Sequence, residues 1–192
     1  MTSIDRNGMR GKDESLVSVL VPAAIDFPSW RSAAEVYAAY LRTARYRSVC
    51  EKALTRLFDD ESEKVRSEAS KCFYRFEGEE LGQYARLIED FILSTAFAAE
   101  QRQLIYALNK TTAELPEVTV LACARFLDFV GQEAAEIRTA SAGLADDTVQ
   151  ILIRTYNQSR SSETQARCLD LFDRMAQLGV YGVERALDQY ER

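Results

Sequence analysis

The sequence predicts an all-α protein built as a short α-solenoid of antiparallel helix pairs. Three observations carry this expectation. From Ser29 onward the apolar residues recur with a helical period, and no segment alternates with period two for long. The 192 residues include only eight glycines and three prolines, too few for the many tight turns of a sandwich or a propeller. The pattern also returns at a step of 36 residues, the length of two helices and two turns. Residues 29–192 therefore read as one helical-repeat domain of about nine or ten helices, whose short loops make neighbours antiparallel.

Residues 1–28 read differently. Gly8, Gly11, Pro22 and Pro28 interrupt any period, so an irregular segment is expected, with short structure over Leu16–Val21. Trp30, the single tryptophan, follows Pro28-Ser29 at a helix start and is expected to anchor the first helix on the core. The clearest helix is Arg45–Phe58, where Tyr46, Val49, Cys50, Ala53, Leu54, Leu57 and Phe58 form one stripe. Asp59-Asp60-Glu61-Ser62 breaks it. Asp60, with Glu63 three positions on, resembles a capping box for the next helix, which carries Val65, Ala69, Cys72, Phe73 and Phe76 and ends at Gly78.

Leu81, Tyr84, Ala85, Ile88, Phe91 and Ile92 mark a third helix, and Leu104, Ile105 and Leu108 a shorter fourth. Pro116 suits a first helical turn, and Val118–Val130 is apolar around most of its circumference, so this helix is expected to be covered on several sides until Gly131 ends it. Val149, Leu152, Ile153 and Tyr156 start another stripe. Ser162 with Gln165 is a second capping-box candidate, ahead of an apolar face of Cys168, Leu169, Phe172, Met175 and Leu178. Gly179 and Gly182 bracket a turn around Tyr181, and Val183, Ala186, Leu187 and Tyr190 close the chain with a short helix.

At the 36-residue step Val65-Arg66 is echoed by Gln101-Arg102 and Ile137-Arg138. Leu57 maps to Leu93 and Phe129, Val49 to Ala85 and Leu121, and Cys72 to Leu108 and Leu144. The last copy is out of step, at Thr164-Gln165, only 27 residues on. A stack in which each unit touches only its neighbours tolerates such drift.

Leu57-Phe58-Asp59-Asp60, followed by Val65-Arg66, Ala69 and Phe73, resembles the HEAT repeat signature. The resemblance implies a first helix ending at an acidic turn, an Arg66 bonded to that turn, and a small Ala69 that lets two helices approach closely. Residues from about 40 to 192 resemble, more broadly, the C-terminal HEAT-like region of large bacterial NACHT-type signalling ATPases. In that family the nucleotide is held by an N-terminal ATPase domain, which this sequence does not contain, and the helical repeats act as sensor or scaffold.

The formal charge is −6, the opposite of the bias usual in a nucleic-acid-binding domain. There is no histidine, which removes the commonest general base and metal ligand. Cys50, Cys72, Cys123 and Cys168 lie at least 22 positions apart, without zinc-ligand spacing, and are read as reduced core thiols of a cytoplasmic protein, with a Cys50–Cys72 disulfide as the alternative. Leu16–Ile25 is too short to span a bilayer. Gly8-Met-Arg-Gly11-Lys12 lacks the spacing and the hydroxyl of a phosphate loop, and the acidic clusters at helix ends read as caps and solvated loops.

No catalytic set, cofactor site or metal site is expected. Arg42, Arg45 and Arg47 with Tyr46 form the densest basic patch, continued by Lys52 and Arg56, and Arg154, Arg160, Arg167 and Arg174 form a second group. Arg supplies 19 of the 24 cations, the residue that grips carboxylate and phosphate in bidentate fashion. The expected function is a non-enzymatic scaffold or sensor that binds a protein partner, which the resemblance suggests is a NACHT-type ATPase. The alternative is nucleic-acid binding through an Arg-rich concave face.

Overall fold

Apolar stripes at helical spacing can leave water only by lying against one another, and among the described residues they do so as eight α-helices. The computed structural model describes residues 27–76, 78–110, 115–132, 142–180 and 183. The helices are α1 (Phe27–Tyr40), α2 (Arg47–Leu57), α3 (Glu63–Ser70), α4 (Ala85–Leu93), α5 (Ala96–Asn109), α6 (Pro116–Gln132), α7 (Ala142–Gln158) and α8 (Ser162–Gln177). Two 3₁₀ segments, Lys71–Arg75 and Gly78–Tyr84, join α3 to α4, and no strand occurs among the described residues. None of the described helices is long and apolar enough to cross a membrane.

Packing follows chain order. α1 lies on α3, α3 on α5 and α5 on α7; α2 lies on α4, α4 on α6 and α6 on α8. Contact between these two rows is made by chain neighbours: α1 with α2, α2 with α3, α4 with α5, α5 with α6, α6 with α7, and α7 with α8. One continuous core draws on both rows. Its centre is aromatic. Phe91 on α4 has its ring 4.9 Å from Phe58, 4.8 Å from Phe73 and 5.7 Å from Phe97. α6 has the neighbours its apolar circumference demanded: Val118, Val120, Ala122, Cys123, Phe126, Leu127 and Val130 are all buried.

Several boundaries differ from the sequence reading. α1 starts at Phe27 and takes in Pro28, which a first turn accepts because it has no N–H to lose. The expected short structure at Leu16–Val21, the anchoring by Trp30, the Ile137-Arg138 copy, Tyr181 and the bulk of the closing helix lie outside what is described; Val183 is helical and buried. α5 runs 14 residues and is not short. α6 passes through Gly131 to Gln132. α7 begins seven residues before Val149. α3 does not run to Gly78: after Ser70, whose Oγ donates to the Ser67 carbonyl at 2.8 Å, it tightens into the first 3₁₀ segment. That tightening keeps Cys72, Phe73 and Phe76 pointing inward.

The caps also shift. Ser62, not Asp60, is the N-cap of α3, and Asp60 instead accepts the Ser62 N–H on Oδ1 at 2.8 Å. Ser161, one residue before the expected cap, holds the start of α8 by accepting the Thr164 N–H at 3.2 Å.

The 36-residue step survives best in one row. Val65 and Gln101, and Ala69 and Ile105, are buried at matching places on α3 and α5, and Cys72, in the first 3₁₀ segment, is buried one step before Leu108 of α5. It fails for Leu57 and Leu93. Leu57 is 4% exposed and Leu93 is 69% exposed. The 3₁₀ turns before α4 rotate that helix, so its buried face is Leu87, Ile88, Phe91 and Ile92. Val49 and Leu169 are exposed for a similar reason of phase, Leu171 taking the inward place on α8. Thr164-Gln165 opens α8, a helix of the α2 row, whereas Val65-Arg66 opens a helix of the other row.

Candidate functional site

The resemblance residues cluster at the turn between α2 and α3. Val65 and Ala69 are buried. Arg66 Nη1 donates to the Asp60 carbonyl at 2.6 Å and to the Glu61 carbonyl at 3.1 Å, so the arginine holds the backbone of the acidic turn and not its carboxylates. Gln165 does the same for the α7–α8 turn, its Nε2 donating to the Tyr156 and Ser159 carbonyls. The α2–α3 turn is then bonded to the α4–α5 turn: Asp59 Oδ1 accepts the Thr95 N–H at 2.8 Å, and the Phe58 carbonyl accepts the Ala96 N–H at 3.1 Å. Removing a guanidinium that serves two carbonyls of the turn is expected to cost about 1–2 kcal/mol. Urea denaturation of Arg66→Ala at neutral pH measures it, and an unchanged midpoint would show that water replaces the guanidinium at no cost.

The basic patch read from the sequence lies at the surface, with Arg42 and Arg45 exposed, and its side chains contact the chain itself. Arg42 Nη2 pairs with Glu80 Oε1 at 2.6 Å. Arg47 Nη2 donates to Gln83 Oε1 at 2.9 Å, and its guanidinium lies 5.2 Å from the Tyr84 ring. Arg45 sits 5.3 Å over Tyr46, which meets Tyr40 edge-on. Tyr84 Oη donates to the Leu41 carbonyl at 3.4 Å. These contacts brace the α1–α2 turn against the second 3₁₀ segment. The second arginine group is dispersed. Arg154 donates to the Asn109 carbonyl at 2.6 Å, Arg174 pairs with Asp128 at 2.7 Å, and Arg160 and Arg167 stand exposed.

The cations left for an outside partner lie farther along. Ser48, Glu51, Lys52, Thr55 and Arg56 of α2 and Arg86, Leu87 and Asp90 of α4 line an open groove of about 340 Å³. Thr55 Oγ1 donates to Asp90 Oδ2 at 2.9 Å across its floor. Lys52, Arg56 and Arg86 are exposed and make no hydrogen bond or ion pair with any described residue. Lys52 and Arg56 were visible in the sequence as the continuation of the patch. Arg86 was missed, although the 36-residue step sets it opposite Cys50, in the middle of α2.

The four cysteines are free and buried, so Cys50 and Cys72 form no disulfide. Burial pushes the Cys50 and Cys168 thiols up to about 11, and that of Cys123 still higher. Thiols held protonated are poor nucleophiles, and these serve as small apolar core groups. Among the described residues, no three Asp, Glu or Cys side chains converge as metal ligands.

Comparison of the chain with family models, curated proteins and solved structures returns no match.

Proposed function

We propose that the chain is a non-enzymatic helical-repeat module, a short α-solenoid of antiparallel helix pairs of the HEAT-like kind, that binds a protein partner. The observation that carries the reading is the order of packing. Each helix rests on those two places away in the chain and, α3 with α4 excepted, on its chain neighbours, the pattern of a stack of helix pairs that offers a continuous surface along each row. The turn-to-turn bonds Asp59–Thr95 and Phe58–Ala96 support the same reading, because they join corresponding turns of successive pairs. The resemblance to the repeat region of NACHT-type ATPases names such an ATPase as the partner to look for, in a reducing cytoplasm where four buried thiols stay free.

Nucleic-acid binding is less well supported. Of Arg42, Arg45 and Arg47, the arginines offered for it, Arg42 and Arg47 are engaged by Glu80, Gln83 and Tyr84, and the chain as a whole is acidic. Affinity capture of the tagged full chain from its own host, at low and at high salt, separates the two. A specific protein retained at high salt is the expected result. Nucleic acid alone, lost as salt rises, would overturn the proposal, because that is the behaviour of phosphate contacts made by counterion release.

A further inference from the structure

We propose that the groove between α2 and α4 docks an extended acidic peptide segment of the protein partner; this rests on the reading of the chain as a protein-binding module. Three observations on the groove carry it.

The first is charge. Lys52, Arg56 and Arg86 oppose Glu51 and Asp90, so three cations against two carboxylates leave the groove one charge positive in a chain of net −6. The three cations have no partner among the described residues, while Asp90 is held by Thr55. A ligand carboxylate therefore meets guanidinium and ammonium groups that need not break an existing bond to receive it.

The second is spacing. Lys52 and Arg56 stand one helical turn apart, with Cβ atoms about 5–6 Å from each other. Alternate residues of an extended peptide are about 6.6 Å apart and point to the same side. Acidic residues at alternate positions can thus address Lys52 and Arg56 in succession, with Arg86 facing them from α4.

The third is the remaining polar lining. Glu51 and the Ser48 hydroxyl offer acceptors to peptide N–H groups, which a phosphodiester backbone does not have. The peptide is favoured because its backbone N–H groups can meet these acceptors, where a phosphodiester backbone offers no donor.

The test is fluorescence anisotropy with a labelled eight-residue probe, Asp-Ser repeated four times, titrated with the full chain at low salt. Saturable binding is expected. Lys52→Ala/Arg56→Ala/Arg86→Ala should weaken it roughly tenfold, the summed effect of three exposed charge pairs. Arg102→Ala/Arg160→Ala/Arg167→Ala makes the same change of net charge elsewhere and should leave binding unchanged. Glu51→Gln should tighten it, a gain that loss of folding cannot mimic. Absence of saturable binding, equal loss in both triple variants, or tighter binding of an oligothymidylate of matched charge would each overturn the proposal. Capture of the same host protein by the wild type and by the groove triple alike would remove the groove and leave the module. Saturable peptide binding with no host protein captured would support the groove and count against the module.

Discussion

Phe91→Ala is expected to destabilise the chain by about 3–5 kcal/mol, the range for deleting a buried aromatic ring whose cavity cannot collapse. Phe91 is fully buried. Its ring meets Phe58 at the end of α2, Phe73 in the first 3₁₀ segment and Phe97 on α5, so four elements share the space it fills. Phe97 in turn approaches Phe129 of α6 at 6.1 Å. Collapse around the missing ring would have to move all of these at once, and the turn-to-turn bonds at Asp59–Thr95 resist that. Leu93→Ala, two positions along the same helix, is the control. Leu93 is 69% exposed, and its loss should change stability by no more than about 0.5 kcal/mol. Urea denaturation followed by far-ultraviolet circular dichroism measures both. Similar midpoints for the two variants would mean that the aromatic cluster does not hold the rows together.

Stability is expected to fall between pH 9 and pH 11, and the buried thiols are the cause. Desolvation disfavours the thiolate, and Glu51 adds to this at Cys50, so Cys50 ionises at about 11 where a free thiol would do so at 9.0. Burial does the same at Cys168, against the opposing pull of Arg167. Cys123 is shifted further in the same direction by burial and by Cys168. The folded pKa is raised, so across this window the unfolded chain gives up protons that the folded chain retains, and the equilibrium moves toward unfolding. The contribution is fully present below pH 9 and is lost as pH rises through the folded values. Cys50 and Cys168 are each expected to account for about 2 kcal/mol across the window. Tyr37 and Tyr84, also raised by burial, continue the trend at higher pH. Denaturation midpoints of the wild type and of Cys50→Ala/Cys168→Ala, taken at intervals from pH 7 to pH 11, isolate the effect from lysine titration. The double variant should start lower and decline less steeply; parallel curves would show that the thiols ionise freely in the folded chain.

Where local chemistry decides structure, the sequence was legible. The stripe of Cys50, Ala53, Leu54 and Leu57, the proline opening α6 and the all-round apolar α6 needed only helical spacing to be read. Arg66 was expected at the acidic turn and is there, although its acceptors are carbonyls, which sequence cannot distinguish from the carboxylates beside them. The candidate groove was only half legible. Lys52 and Arg56 share α2 with Arg47 of the patch that drew attention to them, and Arg86 reaches them only because α2 packs on α4.

The sequence by itself determined that this chain is helical, which faces of most helices seek the core, and that a turn near Asp60 is fixed by Arg66. The first two follow from spacing within one or two helical turns, where neighbours along the chain are also neighbours in space; the third is what the resemblance to the HEAT signature implied. Only the tertiary structure decided which arginines remain free. Arg42 and Arg47 lie in the densest basic run, yet the second 3₁₀ segment, about 36 residues on, supplies Glu80, Gln83 and Tyr84 to meet them. It also decided that Leu93 faces water, since the phase of α4 is set by the 3₁₀ turns before it. Helix phase and charge pairing across tens of residues are properties of packed elements, and no local pattern encodes them.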